Sequence, residues 1–410
     1  MFTPTTVEKQ YDQAESDDLK VLVVGAGIAG VTAAQLLRRS GRHPVLIERA
    51  HAASAAGYML ALMPMVDAAI DDLGVRDSYR AASVSLERYA VHGHTGRKLR
   101  EDSMGAILAR FGDYRGIARG ELLEVLSGDG CPVAFGSTVT ELRETSDAVE
   151  VSFSTAGVSQ RLEFDLVIIA DGIGSATREL VLGQRSVEVV DTKWGGWVVW
   201  APEDSATDLG EEVWGAGFFV GTYPVAGELG VFLGGPRADT AAGPGPFVER
   251  IRRKLTAVNP RLDRVLSAVA NDPDPYYWSL TDCRAPTWTT GHTVLLGDAA
   301  AGFLPTAGIG AGMAMESAWV LASMLRCADR AGLPNLLRTF EHGQRPRVEA
   351  AQDNSRQLAK LMFHRSRTLA GARELAMRFI SVERALRPIQ RLLQNQPDPD
   401  ALVRERAGAT

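Results

Sequence analysis

Residues 21–30 read Val21-Leu22-Val23-Val24-Gly25-Ala26-Gly27-Ile28-Ala29-Gly30. The four apolar, largely β-branched residues predict a buried parallel strand, and it runs straight into a glycine turn. Beyond the turn Val31, Ala34 and Leu37 recur on one helical face, with Gly41 as the stop. A second strand, Val45-Leu46-Ile47, ends at Glu48. In such a unit Gly25 permits the tight bend, Gly27 lets a pyrophosphate approach the backbone, and Gly30 lets the helix pack on the strand. The helix start at Ile28 and Ala29 offers unpaired N–H groups and a partial positive charge to phosphates. Glu48, about 18 residues past Gly30, stands where an acid meets an adenosine ribose. Arg49 beside it is either a 2′-phosphate partner or a solvated charge. The unit predicts a dinucleotide site, and by itself it does not choose between FAD and NAD(P).

Two distant segments repeat the theme. Asp165-Leu166-Val167-Ile168-Ile169-Ala170 is a further buried strand and ends in Asp171-Gly172-Ile173-Gly174-Ser175-Ala176-Thr177-Arg178. Thr293-Val294-Leu295-Leu296 leads into Gly297-Asp298-Ala299-Ala300, and a glycine loop from Pro305 through Gly308, Gly310, Ala311 and Gly312 opens another helix. Ligands of open α/β sheets bind at the carboxyl ends of strands. Three strands that each end in glycine and an acid therefore predict one long cofactor laid across the sheet.

With these segments in view, most of the chain resembles the class A FAD-dependent monooxygenases, the para-hydroxybenzoate hydroxylase-like flavoproteins. The resemblance implies an α/β fold. It has a Rossmann-like (GR2-type) FAD-binding domain, a mixed β-sheet substrate domain and C-terminal helices. It implies FAD on the first motif, FAD and NAD(P)H near Asp171, Gly172, Ser175 and Arg178, and Asp298 on the ribitol. Pro305 and the Gly308 to Gly312 loop would face the isoalloxazine. Gly57 through Pro64 is similar to the family's flavin-proximal strand, and Arg119 to the helix arginine that contacts the cofactor. As implied chemistry, NAD(P)H reduces the flavin and O2 forms a C4a-hydroperoxide. One oxygen atom then passes to an aromatic or polyunsaturated substrate by hydroxylation or epoxidation, the chemistry of a natural-product tailoring step. No catalytic side chain is assignable, since the flavin carries the chemistry. Two departures stand out: Ala301 replaces the family's usual His, and Gly308-Ile309-Gly310 with Gly312 replaces Gly-Gln-Gly and its Asn.

The mid-chain aromatics Trp197, Trp200, Phe218, Tyr223 and Phe232 are read as core or as the wall of a pocket for a small hydrophobic substrate. Strand alternation sends about half of them away from it, and Phe218 and Phe219 to opposite faces. The expected layout is a disordered leader at 1–18 and an FAD-binding domain from 19–80, 112–182 and 283–335. A substrate sheet is expected from 81–111 and 183–282, with helices over 336–410. That tail is arginine-rich (Arg365, Arg367, Arg373, Arg378, Arg384, Arg387, Arg391), with apolar residues such as Phe379 and Ile380 between. It is read as a packed helix with arginines in solvent, or as a substrate cap, dimer contact or peripheral membrane patch. His292 is expected in solvent.

The chain has 410 residues, 45% of them hydrophobic, and a net charge of −6, which argues against a nucleic-acid partner. No apolar run is long enough for a membrane span, no cysteine or histidine spacing marks a metal, and Met1 to Asp18 lacks a signal-peptide pattern. A cytoplasmic monomer or homodimer is expected. The alternative readings are a geranylgeranyl-reductase-like reductase or desaturase, a flavin-dependent halogenase, and a non-redox FAD-containing binding protein.

Overall fold

The structure is a computed structural model. It describes the chain apart from residues 54–56, 156, 184–186, 378, 380 and 409–410, with no side chains for 405–408. Arg378 and Ile380 thus lie outside the described residues.

A seven-stranded sheet carries the first half of the architecture. Val21–Val24 lies at its centre, flanked in parallel by Val45–Glu48 and by Leu166–Ile169, and Thr293–Leu295 adds to the latter, also in parallel. All four residues of Val21–Val24 and of Leu166–Ile169 are buried, as expected for strands covered on both faces. The helix Ile28–Arg39 packs against the later helix Gly310–Leu325 over this sheet. Parallel register brings the carboxyl ends of the three glycine-and-acid strands to one edge.

The second body is an eight-stranded sheet. Its centre is the fifteen-residue strand Glu188–Pro202, paired antiparallel with Glu228–Pro236 and Tyr276–Arg284. Phe219–Val225, Leu209–Trp214, Arg88–His92 and Lys98–Ser103 complete one side. Helices Pro244–Lys254 and Pro260–Asn271 cover one face through Phe247, Ile251, Val265 and Leu266. The other face looks across a cavity at the first sheet.

The leader is ordered, which corrects the expectation for residues 1–18. Phe2–Pro4 adds to the edge strand Cys131–Phe135, and a helix follows over Val7–Gln13. Val7, Gln10 and Ala14 recur at helical spacing and are buried; Gln10 both donates to the Leu46 carbonyl and accepts from the Leu46 N–H. A single stripe of this kind is lost in a polar average composition; here its Gln10 meets main-chain groups of Val45–Glu48, while Phe2–Pro4 covers the edge of Cys131–Phe135.

The thirty-residue helix Leu333–Met362 spans both bodies, and shorter helices follow at Arg367–Met377, Val382–Ala385 and Arg387–Gln394. Arg373 departs from the solvated reading: it is buried and donates to the carbonyls of Leu361, Met362 and Trp214. Among the described residues no helix is long and apolar enough to cross a membrane.

Candidate active site

A cavity of about 440 Å³ lies between the two sheets. On the first sheet's side the backbone shapes it. Gly25 has φ +101°, and a Cβ there would lie 2.6 Å from the Ala170 carbonyl oxygen, so the turn can pass the neighbouring strand only as glycine. A Cβ on Gly30 would overlap the Gly25 carbonyl itself. Gly27 is different in kind: a Cβ there would meet nothing within 4 Å, and the residue lines the cavity together with Ile28 and Ala29. Glu48 accepts from the N–H groups of Ala26 and Ala50, each at 2.9 Å, and so ties the turn to the second strand. Arg49 is exposed, and neither Glu48 nor Arg49 lines the cavity.

The second motif supplies Gly172, open at φ +86° and facing the cavity, and Asp171. One Asp171 oxygen accepts from the Thr177 N–H; the other is buried with no partner among the described residues. Such an orphaned acceptor is costly unless a ligand donor meets it. Arg178 donates to the carbonyls of Ala299 and Ile173, fastening this segment to the third motif. Asp298 stands deep between the domains, yet its carboxyl faces the open cavity; that depth raises its pKa to about 6.

Pro305, Gly308, Gly310 and Ala311 line the cavity, and Thr306 ties their loop to the long helix by a 2.7 Å bond to the Ser355 carbonyl. Gly312 does not line it: a Cβ there would meet Met65, so this glycine serves helix packing. Arg119 lines the cavity beside Tyr58, and its aliphatic stem lies against Gly57. Burial pushes the Tyr58 hydroxyl up to about 12.

The second sheet contributes side chains. Tyr223 and Phe232 line the cavity, as do Val198, Trp214 and Phe219. Three expected wall residues are corrected. Trp197 and Phe218 point to the opposite face, where they join the core under the two helices. Each is one residue out of phase with a residue that does line the cavity, Val198 and Phe219, and strand alternation separates them. Trp200 is half-buried and also outside the lining. His292, expected in solvent, is buried with Nδ1 2.9 Å from the Asp165 carbonyl.

Sequence reasoning missed Glu212. It is 5% exposed and lines the cavity. It accepts from the Tyr89 hydroxyl and the Trp214 indole at 2.6 Å each, and from the Tyr223 hydroxyl. Burial raises its pKa against the pull of these three donors. The signal was present as Glu211-Glu212 within a strand: adjacent residues take opposite faces, so one acid had to point inward. The tail follows one of its alternative readings, the substrate cap. Met377, Val382, Ala385, Leu386 and Ile389 close the cavity, which makes the C-terminal helices a cap.

A family profile described as an FAD binding domain matches residues 18–216 and 257–355. The chain is similar to the 3-amino-4-hydroxybenzoate 2-monooxygenase of Streptomyces cremeus, at 30% identity over 84% of this chain and 87% of that protein. It is similar to the salicylate hydroxylase of Pseudomonas putida, at 28% identity over 84% and 86%. Among solved structures, a Klebsiella pneumoniae HpxO variant in complex with FAD superposes with a TM-score of 0.81 at 25% identity, covering 92% of this chain and 99% of that one. None of these names favours the reductase, halogenase or non-redox alternatives.

Proposed function

The chain belongs to the FAD binding domain family as a class A flavoprotein monooxygenase, and from that membership we propose that it consumes NAD(P)H and O2 to oxygenate a small hydrophobic substrate, aromatic or polyunsaturated. The observation that carries the proposal is convergence. The open turn at Gly27, the bare Gly172 and the Asp298 carboxyl line one cavity whose far wall is aromatic, with the orphaned Asp171 oxygen one residue behind Gly172.

These residues fit FAD. Gly25, Gly27 and Gly30 would shape the pyrophosphate turn, with Ile28 and Ala29 presenting helix N–H groups. Glu48, which keeps free lone pairs beside its two main-chain bonds, would accept from the ribose. Asp171 and Asp298 would take donors further along the cofactor, and Gly172 and the Pro305–Ala311 loop would leave room for it. FAD, when bound, supplies the redox chemistry and the activation of oxygen. The protein's part is position and dryness: Phe219, Phe232 and Trp214 hold a flat substrate and exclude water, and the capping helices close over it.

The test adds NADH or NADPH to the yellow holoprotein under air, with and without candidate aromatics. Flavin bleaching followed by reoxidation and O2 uptake, faster with substrate, is expected. Failure of both nicotinamides to reduce the flavin, or equal turnover without oxygen, would overturn the proposal.

A further inference from the structure

We infer that the wall around Glu212 selects a neutral or cationic substrate bearing hydrogen-bond donors, and disfavours an aromatic carboxylate. This rests on the reading of the cavity as the oxygenation site, and it concerns the end formed by the eight-stranded sheet.

Two other buried acids in this fold are met by arginine. Asp282 pairs with Arg356 and Glu316 with Arg347. Glu212 has no ion pair among the described residues; two tyrosines and an indole hold it instead. Neither nearby arginine reaches it. Arg373 lies over the Trp214 ring, 5.4 Å from its centroid, but outside the cavity lining; its Nη1 and Nη2 donate to main-chain carbonyls, and its Nε–H is buried without a partner among the described residues. Arg119 lines the cavity beside Tyr58 and Asp298 and makes no ion pair with Glu212.

The direction of the hydrogen bonds sets the selectivity. The O–H groups of Tyr89 and Tyr223 and the N–H of Trp214 all point at the carboxylate. What remains toward the cavity is lone pairs: the two phenolic oxygens and the acceptor site left on Glu212, since a carboxylate offers about four such sites and three are filled. Tyr114 lines the same end, and its hydroxyl can serve either way. A ligand docking against Glu212, Tyr89 and Tyr223 must therefore bring the hydrogens. A phenol, amine or amide does so; a carboxylate brings none and sets a second negative charge beside an unpaired buried one.

Salicylamide and salicylate form a matched pair. Their binding to the FAD-loaded enzyme is followed by tryptophan fluorescence, with Trp214 as the reporter in the wall, at about pH 8 so that both acids favour their ionised forms. Salicylamide is expected to bind roughly tenfold or more tightly than salicylate. Glu212→Gln should shrink that preference by about threefold or more, because an amide removes the charge and frees a tyrosine donor. Tyr223→Phe, which keeps the carboxylate, should weaken salicylamide alone, and it serves if Glu212→Gln fails to fold. Equal or tighter binding of salicylate, no response to either compound, or a preference unmoved in the variants would overturn the inference. FAD uptake is read separately from the visible absorbance. A protein that prefers the amide yet is never reduced by NAD(P)H breaks the oxygenase proposal and leaves this one standing.

Discussion

On one side of the cavity Gly27 and Gly172 present bare backbone; on the other Glu212, Trp214, Phe219, Tyr223 and Phe232 present large side chains. The first side must admit a cofactor whose shape never varies, and main-chain N–H groups and strand ends suffice for that. The second must distinguish substrates, which takes volume and polarity. The two differ in their tolerance. A turn defined by absent Cβ atoms fails when any side chain is added at a close approach. A wall defined by side chains can change while the sheet beneath it stays.

The largest expected effect tests the first half of that contrast. Gly30→Val sets a branched side chain into the Gly25 carbonyl, with no flexible neighbour to give way, and should cost more than about 4 kcal/mol, enough to abolish soluble holoprotein. Yield and visible absorbance check it; a yellow variant that melts like the parent would remove the reason given for that glycine. Phe218→Ala and Phe219→Ala then divide the wall. Phe218 is fully buried under the helices, so its loss should cost about 3–5 kcal/mol in denaturant unfolding. Phe219 already faces open space, so its truncation should cost roughly half as much, while weakening substrate binding and uncoupling NAD(P)H oxidation from product. Reversed effects would mean that the sheet's faces are assigned backwards.

Asp298 is the acidic side chain lining the cavity on the backbone side, and pH probes it. Its folded pKa of about 6 lies above that of an unfolded carboxyl, so the folded state binds the proton more tightly. Stability of the FAD-free protein is thus greatest below about pH 4 on this account and is lost as pH rises toward about 6. Because the carboxyl faces cavity water, the change should be only about 1 kcal/mol. Asp67 shifts in the same direction, also to about 6, so the difference between the melting profiles of the parent and Asp298→Asn isolates the effect. Identical slopes would place the titration elsewhere.

The same contrast explains what the sequence could tell. The turn was legible because its constraints are local: six residues that carry a strand into the first turn of a helix, with each glycine assigned by its place. The wall was not. Both faces of the eight-stranded sheet are apolar and aromatic, one under helices and one toward the cavity, so alternation separates Trp197 from Val198 without saying which faces inward. That choice is made by the packing of Phe247 and its neighbours, far along the chain. Arg373 was misread for a related reason, since the carbonyls it meets come from the helix end before it and from a strand some 160 residues earlier.

Gly27→Ala should have the smallest effect on stability and for that reason separates the two uses of glycine most cleanly. Gly27 has φ −79° and ψ −175°, a conformation open to any residue, and its added methyl meets nothing within 4 Å. Alanine there should leave the FAD-free protein unchanged or stabilise it by about 0.4–1 kcal/mol through the less flexible unfolded chain. The methyl would nonetheless project into the space where the pyrophosphate is to approach, so FAD affinity should fall. Titration of the stripped protein with FAD, set beside its unfolding curve, reads both quantities. A loss of affinity without a loss of stability marks a residue that is glycine for its ligand's sake, whereas Gly30 is glycine for the fold's. If Gly27→Ala bound FAD as tightly as the parent, the open space at this turn would not be where the phosphates lie.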